Sequence, residues 1–457
     1  MSEGSIAAPL DPRFIPAVWF NRAYTKNLRA IGQAAPLVIA LERENHLVSR
    51  FATIAHPAAD HDTLRYVERI VKFLLWARGG WRLTIGGPAA IGQYIQRTYA
   101  KDGPRSFDHE FMSRVYERTF EVVVTDADSV LAENEVSAKI GGHFDGCRIG
   151  FDLGASDYKV AAVKDGEAVY SAEFPWNPKV EPDPEYHYQH LASGIRAAAA
   201  HLPRVDAIGG SSAGVIVENK FAVASLIRAV PPDKLSAARN IFLRLRDEWN
   251  APLVVVNDGD VTALAGAISL KKTGLLGIAL GSSQAAGYIN PQGGMTGWFS
   301  EFAFAPVDYH PAAPADEWSQ DAGVGAPYFS QQAVNRLLPA AGIELPADMG
   351  LPERLKEVQN LMAKGDPRAA KIYQTIGVYL GWTLPHYADF YDFNDALILG
   401  RVTTGAGGEL LLDTARQTLR RHFPELAERI QVHLPDEKNR RVGQAVAAAS
   451  LPALDSN

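Results

Sequence analysis

The chain has 457 residues, of which 47% are hydrophobic and 21% charged. That is too long for one compact domain at about 150 residues per domain, and apolar enough to exclude wholesale disorder. With 45 Lys and Arg against 52 Asp and Glu the formal charge is −7, so nothing in the net charge points to a polyanionic partner. The single cysteine, Cys147, excludes a disulfide framework within the chain and any zinc site built on two thiolates.

A reduced, cytoplasmic setting is expected, and no apolar run reaches the roughly 18 to 20 residues of a membrane span. Residues 1–35 are weakly patterned. The run PLVIALERENHLVSRFATIA then reads as a hairpin turning at Glu44-Asn45. Apolar residues three or four apart at Leu64, Val67, Ile70, Val71, Leu74 and Leu75 predict a helix. A strand ending in Gly86-Gly87 and a short helix, AAIGQYIQRTYA, follow.

The order then recurs. CRIGFDLGASDYKVAAV and EAVYSAEF flank Asp165-Gly166, a hairpin-turn pair. A helix around HLASGIRAAAAHL and the strand VDAIGGSSAGVIV come next. Both copies end in Ile-Gly-Gly, at residues 85–87 and 208–210, so residues 36–100 are expected to be a degenerate, structural repeat of 147–217. LVVVNDGDVTALAGAISL reads as strand, turn and helix, and GLLGIALGSSQAAGYI as two strands around a small-residue loop. Helices are predicted at Gln331–Leu338, Leu351–Lys364 and Pro367–Phe390, then the strand 396–400 and a helix from Glu409. Strands alternating with helices give an α/β protein.

Four small-residue loops follow strands. The first runs from Asp152 through Gly154 and Ser156 to Lys159; it reads either as an ordinary hairpin or as a nest of backbone N–H groups for an anion. In the second, Asp258 follows Asn257 at a strand end, as a helix N-cap or as a catalytic carboxylate. The third, Gly281-Ser282-Ser283-Gln284-Ala285-Ala286-Gly287, suits a phosphate chain or a plain hairpin. The fourth, from Gly400 through Thr403 to Gly408, ends at a helix N-terminus, where backbone donors favour anions. Trp76, Trp81 and Tyr94 read as core, and the aromatic run from Tyr379 to Tyr391 as core or a subunit contact.

In order and spacing, with Asp258 lying 106 residues after Asp152, these loops resemble those of the ROK family of sugar kinases and sugar-responsive repressors over residues 147–450. The resemblance implies a two-lobed actin-like ATPase (ribonuclease H-like) fold behind an N-terminal α/β extension. Residues 1–146 would be the extension, 147–265 the first lobe and 266–457 the second. It also implies ATP-dependent phosphorylation of a sugar hydroxyl, of a hexose or amino sugar, with Mg2+ as cofactor. Asp258 would be the general base, and Asn257 and Glu301 would bind sugar. Asp152 would act near Mg2+, through water. Gly154, Ser156, Lys159, Gly281, Ser282 and Ser283 would line the phosphate path, with Gly400 and Thr403 near the adenosine. A homodimer is expected by resemblance alone.

The departures are equally specific. Ser283 and Ala285 stand where the family's second phosphate loop has glycine, and Asp260 replaces an Asn. The sugar motif Glu-x-Gly-His is Glu301-Phe302-Ala303-Phe304, without its histidine. The following zinc-binding stretch has no cysteine, so no zinc is expected. Asp308, His310, Glu317 and Asp321 fall in this rebuilt segment and read as solvated loop residues. A nucleotide- or sugar-binding protein without kinase activity is the alternative. A DNA-binding repressor is disfavoured, because residues 1–146 hold 17 Lys and Arg against 17 Asp and Glu.

Overall fold

In the computed structural model, residues 7–135, 141–435 and 443–454 are described. The extension contains α1 (Ala17–Ala30), β1 (Ala35–Glu42), β2 (Val48–Ala55), α2 (His61–Arg78), β3 (Arg82–Gly86), α3 (Ala89–Thr98), α4 (Ser106–Tyr116) and β4 (Glu121–Thr125). The β1–β2 hairpin forms as expected, with Leu41 opposite Ser49 and the turn made by Asn45 and His46 at φ of 54° and 59°. Asp60 caps α2 by accepting the backbone N–H of Thr63, and Gly79, at φ 77°, ends it.

The first lobe follows with β5 (Cys147–Leu153), β6 (Asp157–Lys164), β7 (Glu167–Pro175), α5 (Pro184–Ala199), β8 (Ala207–Ser212), β9 (Val215–Val217), β10 (Lys220–Val223), α6 (Leu235–Arg239), α7 (Ile241–Trp249) and β11 (Leu253–Asn257). Its sheet has the order β11-β8-β5-β6-β7, and β9 and β10 form a separate hairpin. The second lobe has α8 (Asp258–Leu270), which spans the boundary expected between residues 265 and 266, then β12 (Leu275–Leu280), β13 (Gln284–Ile289), α9 (Gln331–Ala341), α10 (Leu351–Ala363), α11 (Pro367–Ala388), β14 (Asp395–Leu399), α12 (Ala406–His422), α13 (Pro424–Arg429), β15 (Gln431–His433) and α14 (Gly443–Ala449). Its sheet has the order β13-β12-β14-β15. Among the described residues no helix is long and apolar enough to cross a membrane.

The repeat expected of residues 36–100 is not shared in element order: two strands precede the helix in the extension and three in the first lobe. With one strand fewer the chain re-enters the sheet from the opposite end, so β3 runs antiparallel to β1, whereas β8 runs parallel to β5. The two Ile-Gly-Gly strands hold the same place beside the first strand of their sheets and differ in direction.

The division of the cores follows neither sequence order nor lobe boundaries. Ile149, Phe151, Leu191, Ile195, Phe242 and Val255 close a core within the first lobe. The larger core runs without a break from Phe14, Leu41, Phe73 and Trp76 into Leu276, Ile278, Tyr328, Tyr387 and Leu411. The extension is thus built into the second lobe, and the aromatic residues of α11 are buried at that junction. At the other end of the chain α14 crosses back onto β5 and β8. Gly150 and Gly209 admit it, since a Cβ at either would stand 1.7 Å from a helix carbonyl oxygen, of Ala445 or Ala448. Cys147 is buried at the start of β5.

Candidate active site

Strands β5, β8 and β11 are parallel neighbours, so their carboxyl ends place Asp152, Ser211 and Asn257 along one edge, where open α/β sheets bind ligands. Asp152 lies opposite both Ser211 and Lys159 in the sheet. Its carboxylate accepts the Ser211 hydroxyl at 2.6 Å. Burial raises its pKa, against the Ser211 hydrogen bond and the Lys159 charge.

At the end of β11 the helix cap is Asn257, not Asp258. The Asn257 Oδ1 accepts the Gly259 backbone N–H at 2.8 Å, and its Nδ2 donates to the Gly214 carbonyl at 2.8 Å. This overturns the capping reading of Asp258 and ties most of Asn257 into the backbone. Asp258, first residue of α8, lies at the carboxyl end of β11 and is partly exposed. The helix start packs backbone to backbone on β13: a Cβ at Gly287 would stand 2.2 Å from the Gly259 oxygen.

Two further carboxylates share the space. Asp260 accepts a backbone N–H from Tyr288, and Glu301 follows on the loop after β13. Desolvation, then the charge of Asp152, pushes the Asp258 carboxyl up to about 7. Asp260 is pushed up to about 7 by desolvation and then by Asp258, and Glu301 to about 8 by desolvation and then by both aspartates. The charges acting on Glu301 are carboxylates alone. Among the described residues no group of three or more His, Cys, Asp or Glu side chains has the geometry of a metal cage.

The three glycine-rich turns lie around this cluster with differing degrees of engagement. In the first, the Gly154 N–H donates to Asp157 O at 3.0 Å. The hydroxyl of Ser156 and the Nζ of Lys159 both turn to the Asp157 carboxylate, at 2.9 and 3.3 Å. In the second, the turn is only Gly281-Ser282-Ser283, with both serines exposed. Ala285 and Gly287, expected in the loop, belong to β13. In the third, Gly400 has φ 102° and lies so close to the end of β12 that a Cβ would meet Leu280 O at 2.4 Å. Thr403 is buried, and its hydroxyl closes the turn by donating to Gly400 O at 2.9 Å. Beside this turn is a largely apolar cavity of about 660 Å³, lined by Arg401, Thr404, Leu399, Ala265 and Gly266 among others.

The rebuilt segment is solvated in part, and two of its four polar residues are interior. Asp308 is 3% and Asp321 5% exposed. Asp308 accepts from Tyr328 Oη at 2.5 Å, and Asp321 from Arg69 at 3.2 Å and Arg105 at 2.6 Å. Glu317 is exposed and His310 intermediate. Phe304 packs on Trp76 at 4.3 Å between ring centroids. Sequence reasoning missed Ser211, whose signal was its place after Ile208-Gly209-Gly210 at a strand end. It also missed the arginines and lysine of α2, which had no local signal at all.

No family model matches the chain, and no curated protein matches it. Solved structures do. The ROK hexokinase of Thermus thermophilus is 18% identical with a TM-score of 0.53, covering 67% of this chain and 97% of that one. A ROK family glucokinase of Streptomyces griseus, in complex with glucose and AMPPNP, is 21% identical with a TM-score of 0.50, covering 67% and 99%. A ROK family transcriptional regulator, a homologue of the E. coli MLC protein, is 17% identical with a TM-score of 0.52, covering 80% and 87%. The two-lobed α/β architecture of this chain is therefore the actin-like ATPase fold in the form that these ROK proteins share.

Proposed function

We propose that the chain is a ROK-type sugar kinase that transfers phosphate from ATP to a hydroxyl of a small sugar, with Asp258 as the general base. The observation that carries this reading is Asp258 itself: the Asn257 cap leaves it at the carboxyl end of β11, partly accessible, with its carboxyl held at about 7. A base that gains and loses its proton near neutral pH is matched to accepting one from an attacking hydroxyl. Asp260 and Glu301 beside it, pushed up to about 7 and about 8, exchange a proton near neutral pH, so each can accept a hydrogen bond when ionised and donate one when protonated. That suits a polyol, whose hydroxyls do both.

Phosphoryl transfer asks the protein for alignment and charge stabilisation more than covalent chemistry. The Gly281–Ser283 turn and the Gly154 turn would approach the phosphates, and the cavity beside Gly400 has the size and apolar walls suited to a nucleoside. Asp152 accepts one side-chain hydrogen bond, leaving hard oxygen lone pairs that fit a hydrated Mg2+, an ion held at nucleotide sites by one or two carboxylates plus phosphates and waters. Mg2+, when bound, neutralises charge on the transferring phosphoryl group. The Streptomyces griseus glucokinase, in complex with glucose and AMPPNP on a similar fold, supports a sugar and a nucleotide as the two ligands.

The test is the substitution Asp258→Asn. It should abolish sugar-dependent ADP release and leave ATP·Mg2+ binding, followed by thermal shift, close to wild type. Retained turnover would remove Asp258 from the base role. A sugar or nucleotide binder without kinase activity is the second reading, favoured by the side chain that Ser283 adds at the phosphate turn. Thermal shifts with ATP or a sugar, and no ADP release with any sugar, would establish it instead.

A further inference from the structure

The stretch Thr296–Glu301, which carries the carboxylate next to Asp258, is held along its length by the N-terminal extension. Arg43, at the end of β1, donates to the carbonyls of Thr296 at 3.4 Å and Gly297 at 2.9 Å. The Arg78 guanidinium lies 4.6 Å over the Trp298 ring. Phe299 packs on Gly79, where an added Cβ would meet Tyr116 Oη at 2.2 Å and then stand 3.3 Å from the Phe299 Cβ.

The Ser300 N–H donates to Ala77 O at 2.8 Å and the Glu301 N–H to Trp76 O at 2.9 Å. These carbonyls belong to the last turn of α2, where a helix has acceptors without partners of its own. The loop thus supplies the C-terminal bonds of α2, and α2 fixes the backbone of the loop. Ser300 is held there at φ 50°, a left-handed conformation that a non-glycine residue keeps only where its surroundings over-determine it.

Beyond Glu301 the hold continues. Phe304 packs among Trp76, Phe107 and Phe111. Lys72, fully buried, pairs with Asp108 at 2.6 Å and Asp321 at 3.5 Å. Trp76 Nε1 also donates to Asp108. Glu68, Arg69 and Arg105 complete the buried network, which fastens the far end of the rebuilt segment to α2.

We propose that α2 of the N-terminal extension aims Glu301 at the acceptor, with Trp76 and Gly79 as positioning residues, so that the extension is a structural part of the acceptor site. The inference rests on the sugar-site reading of Glu301. It assigns the extension the work of holding the loop that a zinc-binding stretch follows in the family this chain resembles.

The test is a double-mutant cycle between Gly79→Ala and Glu301→Gln in the full chain, read as KM and kcat for the best acceptor sugar and KM for ATP. A shift of the loop by a few tenths of an ångström should raise the acceptor KM about tenfold in Gly79→Ala, with the ATP KM within about twofold. In the Glu301→Gln background the same substitution should then have little further effect. Should Gly79→Ala not fold, Arg43→Lys serves in its place, keeping the charge while removing the guanidinium donors to the Thr296 and Gly297 carbonyls. Effects that multiply in the double mutant within about twofold, the signature of independent sites, would overturn the inference, as would an ATP KM that rises in step with the acceptor KM. If Glu301→Gln alone leaves the acceptor KM unchanged, the sugar-site reading of Glu301 has failed and this inference falls with it.

Discussion

The substitution Asp258→Asn should stabilise the protein while removing its turnover. An isolated aspartate loses its proton near 3.8, whereas in the native state Asp258 holds it to about 7. Between these values the native state binds the proton and the unfolded chain does not, so stability falls as pH rises from about 4 to 7 and stays reduced above 7. At about 1.4 kcal/mol per pK unit the displacement sets an upper bound of about 4 kcal/mol. Asp258 is partly exposed, and screening there reduces the expected effect to about 2 kcal/mol. Asparagine has no charge to hold, so the variant should resist urea better than wild type at pH 8, and the difference should shrink steadily toward pH 4.5. Urea titrations of both proteins at three or four pH values measure this directly. A variant less stable at pH 8, or an advantage that does not change with pH, would refute an unrelieved carboxylate at this position. In the same pH series, wild-type kcat/KM should climb about tenfold from pH 5.5 to 6.5 and level off above 7.5.

His386 is buried against Phe73 and Phe390, and burial lowers its pKa to about 3. The unfolded chain takes this proton first, so stability falls as pH drops from 6.5 toward 3, by about 2 kcal/mol at pH 5. His386→Leu should flatten that part of the urea-midpoint profile. Gly400→Ala, which places a Cβ 2.4 Å from Leu280 O at a φ of 102°, should raise the ATP KM several-fold with the acceptor KM little changed, as initial-rate measurements would show. Gly150→Ala drives a methyl into the Ala445 carbonyl at 1.7 Å. It should lower stability by at least about 2 kcal/mol in denaturant titrations as α14 is forced off β5.

Local signals were legible and non-local ones were not. The hairpin at Glu44-Asn45, the strand into Asp258 and the three glycine-rich turns follow from alternation, β-branched runs and glycine placement, all short-range. The identity of the α8 cap depended on which of two adjacent polar side chains turned back, and Asn257 and Asp258 are equivalent in that respect until Gly214 presents a carbonyl. The topology of the extension hinged on a single strand that β1 and β2 lack relative to β5, β6 and β7. Lys72 and Arg69 fall on a helix whose apolar spacing is clear, yet both are buried, Lys72 against Asp108 and Arg69 against Glu68, in a network closed by Asp321 about 250 residues away in sequence. Composition cannot show such a pairing, so Asp308 and Asp321 read as surface residues when they are interior.

The shared core of the extension and the second lobe also sets an order of events on the ribosome. Residues up to Val122 emerge about 150 residues before Leu276, the first second-lobe strand residue that they pack against. Between them comes the first lobe, which closes a core of its own. At a synthesis rate of about 5 to 20 residues per second, Phe73 and Trp76, about 200 residues ahead of Leu276, wait roughly 10 to 40 s for their partners. During that interval the extension is a natural client for a nascent-chain chaperone, while the first lobe can already be folded.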